Sequence, residues 1–170
     1  MNIQFQPVEK EDFKRFREDV KEIFSIAVLR DVGKPENGEV VPDEDIDHSL
    51  CDSHSTVYHI FANGEKVGGI VLHINEESHH NSVDLFYIYP QCHSRGLGTQ
   101  VWRAVEEAYP DTEVWELVTP YFEKRNIHFY VNKCGFRIVE FFCKYHPDPA
   151  MGPEAPDFQK EYFRFEKRMR

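Results

Sequence analysis

Two glycines stand in a short loop between a predicted strand and a predicted helix, and the residue types there could bind an anion. Gly96 and Gly98 close the segment 92–99. At the start of a helix, free backbone N–H groups and the positive end of the helix dipole favour a phosphate-like group. Arg95 adds a local cation to a chain whose formal net charge is −10. The loop predicts an anionic ligand, although the same glycines would also suit a tight connection without one.

Two common nucleotide-binding fingerprints do not match this loop. A dinucleotide fingerprint needs a third Gly or Ala three residues after Gly98, where the sequence has Val101. A Walker loop needs Gly-Lys-Ser/Thr, and Gly98 is followed directly by Thr99. Neither of these nucleotide sites is expected.

Two segments of the chain resemble the GNAT N-acetyltransferases. The run 88–98, Ile-Tyr-Pro-Gln-Cys-His-Ser-Arg-Gly-Leu-Gly, is similar to the acetyl-coenzyme A pyrophosphate loop of that family, Gln/Arg-x-x-Gly-x-Gly/Ala. The run 126–136 has the Asn, the Phe-Tyr pair and the Gly-Phe of a later family segment. Together they imply the GNAT fold and acetyl-coenzyme A as cosubstrate. His93 departs from the usual Gln or Arg, which implies weaker or differently tuned cofactor binding.

The resemblance also implies a role for individual residues. In the family, the strand before the loop splays from the next parallel strand, and the pantetheine arm lies in the gap. Ile88 would pair with this arm, and its N–H would donate to the thioester carbonyl. Asn126 would bond the arm, and Tyr130, four residues later on the same helical face, would protonate the leaving thiolate. The implied cofactor-binding residues are Ile88, Tyr89, His93, Ser94, Arg95, Gly96, Leu97, Gly98, Thr99, Asn126 and Tyr130.

The base that deprotonates the amine is open between three side chains. An ammonium group with a pKa of ~10 must lose its proton before it attacks, which costs roughly 4 kcal/mol at pH 7. Asp84 aligns with a position where many relatives place Glu, and it could accept the proton through water. Glu116 on the next strand and His73 on the hairpin are the weaker candidates. A solvated Asp84 without a catalytic role is the alternative.

Composition excludes several classes of function. Thirty Asp and Glu against twenty Lys and Arg argue against a nucleic-acid surface. No apolar run reaches the ~20 residues of a membrane span, and the first residues lack the pattern of a secretion signal, so a cytoplasmic location is expected.

Four cysteines with no C-x-x-C pair predict free thiols. His79 and His80 are adjacent on an extended segment and point apart, so no metal site is predicted.

The elements that position these residues predict one α/β domain over 1–170. Hydrophobic periodicity indicates helices over about 10–30, 96–108 and 127–134, and an acidic segment at 36–55 that is a loop or a short helix. Strands are predicted at 3–5, 56–62, 66–74, 83–89, 114–118, 136–142 and 162–165. This order predicts a mixed sheet flanked by helices, and the GNAT resemblance implies a mostly antiparallel sheet with one splayed parallel pair.

The sequence therefore predicts an N-acetyltransferase that moves an acetyl group from acetyl-coenzyme A to a primary amine of a small molecule or peptide, by direct attack in a ternary complex. Because the acidic segment 36–52 precedes the hairpin, where relatives form part of the acceptor wall, a cationic acceptor such as a polyamine or aminoglycoside is favoured. The alternative is a coenzyme-binding sensor or interaction module without turnover. No nucleic-acid or membrane partner is expected, and the chain leaves open whether it forms a homodimer.

Overall fold

Seven strands form a single sheet in the computed structural model, which describes residues 1–35, 40–93 and 96–169. The strands are β1 (Ile3–Pro7), β2 (Ser55–Ala62), β3 (Glu65–His73), β4 (His80–Ile88), β5 (Val114–Pro120), β6 (Arg137–Phe142) and β7 (Tyr162–Arg168). The helices are α1 (Phe13–Asp31), α2 (Asp43–Cys51), α3 (Leu97–Ala108), α4 (Lys124–His128) and α5 (Asp157–Lys160). No helix among these residues is long and apolar enough to cross a membrane.

The sheet is antiparallel except at one central pair. Its strand order is β1-β2-β3-β4-β5-β7-β6, and β4 and β5 alone run parallel. These two strands pair at three positions only, His80 to Ser82 against Val114 to Glu116. Beyond them the carboxyl-terminal halves of β4 and β5 are not paired with each other. The predicted mixed sheet with a splayed parallel pair is confirmed.

The β2–β3 hairpin turns through Asn63 and Gly64, as the sequence predicts. Both residues have positive φ, 52° and 86°, which is the backbone of the two-residue turns that match the twist of antiparallel strands. Asn63 tolerates this conformation better than most residues, and Gly64 adopts it freely. The turn fixes the register that carries β3 alongside β4.

Helices cover both faces of the sheet because β3 is apolar on both sides. Ile70 and Leu72 pack in one core cluster with Val101 and Trp102 of α3. Val71, which points to the other face, packs in a second cluster with α1 and α2. The loop before α3 and the helix α1 therefore lie on opposite sides of the end of β4.

The acidic segment contains α2, and burial rather than charge docks it. Ile46 and Leu50 are almost fully buried, and burying each such side chain stabilises a fold by about 1.5–3 kcal/mol. Asp43 and Asp47 face α1, where Lys21 and Arg17 pair with them at 2.5 and 2.6 Å. Surface pairs of this kind contribute ~1 kcal/mol or less. Residues 36–39 of the acidic segment lie outside the described residues.

Candidate active site

A cavity of about 750 Å³ opens where β4 and β5 separate. Its walls come from α1, the end of β4, the start of α3 and the segment from α4 to Lys133. Most of the predicted cofactor-binding residues line it: Ile88, His93, Gly96, Leu97, Gly98, Thr99, Asn126 and Tyr130. Ser94 and Arg95 fall outside the described residues. Two segments far apart in sequence thus meet at one cavity.

Ile88 presents its backbone to the gap between the two strands. It stands opposite Gly68 in the β3–β4 register, and the next N–H, that of Tyr89, donates to the Val67 carbonyl at 2.8 Å. In an antiparallel ladder this alternation turns the N–H and C=O of Ile88 away from β3. Because β5 pairs with β4 only as far as Ser82, these two groups face the open gap. They could pair with an extended ligand.

Gly68 permits a close approach of the two strands beside this gap. A Cβ atom built on Gly68 would lie 2.1 Å from the backbone oxygen of Tyr87, which no side-chain rotation can relieve. We expect Gly68→Ala to destabilise the protein by roughly 1–3 kcal/mol, since the strands must separate. Chemical denaturation measures this loss. Gly152→Ala is the matched control, because nothing lies within 4 Å of its Cβ position, and equal stability of the two variants would contradict the close contact.

The start of α3 provides the anion-binding geometry that the loop predicts. Gly96 caps the helix with φ 89°, a left-handed conformation that favours glycine. The Gln100 N–H donates to the Gly96 carbonyl at 3.0 Å, so it is the first N–H with a partner inside the helix. The N–H groups of Leu97, Gly98 and Thr99 precede it and have no carbonyl of their own helix to bond. Backbone donors therefore converge at the cavity wall.

His93 holds the carbonyl that faces the gap. Its Nε2 lies 3.0 Å from the Ile88 oxygen, and its Nδ1 lies 3.0 Å from a guanidinium nitrogen of Arg125. A guanidinium only donates, so Nδ1 accepts and the Nε2–H donates to the carbonyl. Burial, followed by the charge of Arg125, lowers the pKa of His93 and keeps the ring neutral. A ligand N–H that pairs with the Ile88 carbonyl competes with this imidazole for the same oxygen.

Removing that imidazole is expected to strengthen coenzyme binding. In His93→Ala the Ile88 carbonyl has no competing donor, and one hydrogen bond of this type contributes about 1 kcal/mol. Coenzyme A should therefore bind roughly fivefold more tightly, as titration calorimetry would measure. A weaker affinity would mean that His93 supports the ligand directly instead of occupying its place.

Tyr130 lies in a π-helical turn, Phe129–Lys133, that follows α4. Gly135 follows two residues after this turn, and its left-handed backbone, with φ 81°, ends the helical segment. The Tyr130 ring packs against Phe136 and Phe165 and is 7% exposed. Burial raises the pKa of its phenol, so the group keeps its proton at neutral pH. Sequence predicts one continuous helix here, but Asn126 and Tyr130 still line the same cavity.

Comparison with known proteins decides the family. Residues 13–136 match the model of the "Acetyltransferase (GNAT) family". The chain belongs to the GNAT acetyltransferase family. It is an acyltransferase, and acetyl-coenzyme A is the cosubstrate that this membership implies.

The chain is also similar to a curated protein and to solved acetyltransferase structures. "Uncharacterized protein YrkN" of Bacillus subtilis (strain 168) is 46% identical over 165 residues, 94% of this chain and 89% of that protein. An acetyltransferase from Thermus thermophilus superposes with a TM-score of 0.66 at 16% identity, over 99% of this chain and 98% of its own. The PaiA N-acetyltransferase of Thermoplasma acidophilum, solved with coenzyme A, gives 0.64 at 15%, over 99% of each chain. The two structural likenesses support the fold.

The cavity of this GNAT protein suits a ligand that carries several phosphates. Among the residues that the structure describes, four cationic side chains line it, on a chain with a net charge of −10: Arg30, Arg103, Arg125 and Lys133. The Ile88 N–H, which pairs with neither β3 nor β5, and the start of α3 lie in the same cavity. Acetyl-coenzyme A, with its diphosphate, its further phosphate and its extended arm, fits these three features.

Tyr89 faces α1 and not the cavity. Its hydroxyl donates to the buried Asp19 carboxylate at 2.5 Å, and Arg15 approaches the same carboxylate at 3.2 Å. This hydrogen bond connects the end of β4 to α1, which forms one wall of the cavity. The structure gives the side chain this positioning contact, while a role of its backbone in cofactor binding stays a prediction.

The three predicted candidates for the base lie away from the cavity. Asp84 is exposed and is the extra residue of a bulge in β4, since the register steps past it between Val71 and Leu72. Glu116 pairs with Arg164 at 2.9 Å. None of the three is among the residues that line the cavity. Their catalytic role stays a prediction without support from the geometry.

His73, the third of these candidates, belongs to a surface group at the other end of the sheet. It pairs with Ser82 at the start of β4, whereas the cavity lies at the end of that strand. Its Nδ1 is 3.4 Å from the Asp52 carboxylate, and its ring stacks on His54. The donor atoms of Asp52, His54 and His73 lie within 4.8 Å of one another. This group is separate from the site.

Glu123 is a site residue that the sequence did not reveal. It caps α4, lines the cavity and is 9% exposed. Burial raises the pKa of its carboxyl, while the charges of Arg30 and Arg125 act in the opposite direction. A single Glu beside Lys124 and Arg125 resembles an ordinary surface charge, and its only signal is that it precedes Asn126 by three residues, one turn of the same helix.

Proposed function

We propose that this protein transfers the acetyl group of acetyl-coenzyme A directly to a primary amine of a small-molecule or peptide acceptor, in a ternary complex. The proposal rests on one observation above all. The unpaired Ile88 N–H and the protonated Tyr130 phenol belong to the same cavity, so a donor for the thioester oxygen and an acid for the leaving sulfur stand together.

In this reaction the groups that line the cavity have separate binding and catalytic roles. The amides at the start of α3 hold the diphosphate, with the neighbouring cations around it. Asn126 and the Ile88 backbone hold the pantetheine arm. The Ile88 N–H stabilises the charge that develops on the carbonyl oxygen during attack. Tyr130 gives its proton to the sulfur as the bond to carbon breaks. Asp84 would serve as base only through a chain of water molecules.

Two measurements on the wild-type protein test this proposal. Calorimetry with coenzyme A should give one site per chain, and a panel of amines with acetyl-coenzyme A should release free thiol. Coenzyme binding with no thiol release from any amine would instead favour a binding module without turnover. No binding of the coenzyme at all would contradict both functions.

A further inference from the structure

The carboxylate of Glu123 is buried in the cavity wall without a partner from the protein. Among residues 1–35, 40–93 and 96–169, no hydrogen bond or ion pair involves this side chain, although only 9% of the residue is exposed. A buried carboxylate of this kind costs free energy unless a donor satisfies it. The carboxylate oxygens of Glu123 are not enclosed and open into the cavity, where water or a donor group of a ligand can satisfy them.

Glu123 lies next to the groups that act on the thioester. It follows the end of β5, and its N–H donates to the carbonyl of Pro120, the last residue of that strand. Parallel strands end at the same edge, so Glu123 stands across the gap from Ile88. Glu123 and Tyr130 line the same cavity. An amine held by Glu123 would therefore share that cavity with the groups assigned to the thioester.

The cavity wall that α1 contributes is apolar except at its end. It consists of Ile23, Phe24, Ile26 and Ala27, with Arg30 as its last residue. Glu123 is the only acidic side chain among the described residues that line the cavity. Asp43 and Asp47 of α2 pair with Lys21 and Arg17, and no residue of α2 is among the described residues that line the cavity. A single carboxylate beside an apolar wall suits an acceptor with one ammonium group and an apolar carbon skeleton.

We infer that Glu123 binds the ammonium group of the acceptor and takes its proton, and that the acceptor is a monoamine with an aliphatic or aromatic body. This inference rests on the acetyl transfer proposed above. One N–H bond of the ammonium breaks and its proton moves to the carboxylate, which later releases it to solvent. The freed electron pair forms the bond from nitrogen to the acetyl carbon as the carbon–sulfur bond breaks. Tyr130 protonates the sulfur and regains a proton from the nitrogen.

The pH dependence follows from the groups around Glu123. These are Arg30 and Asp31 of α1, Arg125 of α4 and the Tyr130 phenol. Burial, the largest effect, and the charge of Asp31 raise the pKa of the Glu123 carboxyl, and the two arginines oppose this. The wild-type kcat/KM should therefore rise with pH as Glu123 ionises, over a range above that of an ordinary Glu.

Glu123→Gln and Glu107→Gln form a matched pair for the test, since each replaces a glutamate carboxylate by its amide. With hexylamine as acceptor, Glu123→Gln should lower kcat/KM about 100-fold and remove its rise with pH. Its affinity for coenzyme A should stay unchanged, which also verifies that it folds. Glu107→Gln, at an exposed position of α3 outside the cavity lining, should stay within about twofold of wild type. Equal activity of the two variants would overturn the role of Glu123.

The acceptor class is tested with hexylamine against 1,6-diaminohexane, which differ by one ammonium group. Wild type should prefer hexylamine by about tenfold in kcat/KM, because the second charge meets an apolar wall and cationic neighbours. A preference for the diamine, or for spermidine, would keep the transfer reaction and overturn the monoamine class. No thiol release with any of the three amines would overturn this inference, and the broader amine panel would then decide whether the protein transfers acetyl groups at all.

Discussion

Tyr130→Phe is expected to lower kcat for acetyl transfer by about 100-fold or more, because positioned acids contribute 10²–10⁴-fold. The leaving thiolate then loses the proton donor that the proposed mechanism assigns to it. Phe keeps the ring, and with it the packing against Phe129, Phe136 and Phe165. Steady-state kinetics by thiol release, together with calorimetry for coenzyme A, measures the loss of rate at unchanged affinity.

Tyr121→Phe provides the control for this variant. Tyr121 is 48% exposed and lies outside the cavity lining, so its hydroxyl should be dispensable. If Tyr130→Phe turns over as fast as Tyr121→Phe, Tyr130 is a packing residue and another group protonates the sulfur.

Ile88→Pro is expected to reduce kcat by about 100- to 1000-fold, the usual effect of removing one donor to a developing oxyanion. Proline removes the Ile88 N–H and nothing from the β3–β4 ladder, because that N–H faces the gap. The bond from Tyr89 to Val67 remains. The melting temperature should therefore stay close to that of wild type, while thiol release falls.

Ile88→Val separates the backbone effect from the side-chain effect. It keeps the N–H and most of the side-chain volume, and it should retain nearly all of the activity. A folded Ile88→Pro protein with wild-type kcat would contradict the assignment of this N–H to the thioester oxygen.

Local signals made much of this fold predictable. The Asn63-Gly64 turn fixes the β2–β3 hairpin because few residues adopt positive φ at both positions. The loop before α3 was predictable because Gly96 needs a left-handed backbone at the helix start. Asn126 and Tyr130 line the same cavity, although the predicted continuous helix is replaced by α4 and a π-helical turn.

Other features depend on contacts between distant segments, which periodicity does not encode. The bulge at Asp84 inserts one residue into β4, so strand alternation alone does not give the direction of its carboxylate. The link from Arg125 through His93 to the Ile88 carbonyl joins segments that are far apart in the sequence. In the folded chain only 9% of Glu123 is exposed. The charged residues that follow it in the sequence are typical of a surface segment and do not indicate this burial.

The most direct test of the whole account is a crystal structure of the protein with coenzyme A at saturating concentration. The diphosphate should lie against the amides of Gly96 to Thr99, and the pantetheine arm should pair with the backbone of Ile88 in the gap between β4 and β5, with the His93 ring displaced. A coenzyme bound elsewhere, with nothing ordered against those amides, would contradict the account.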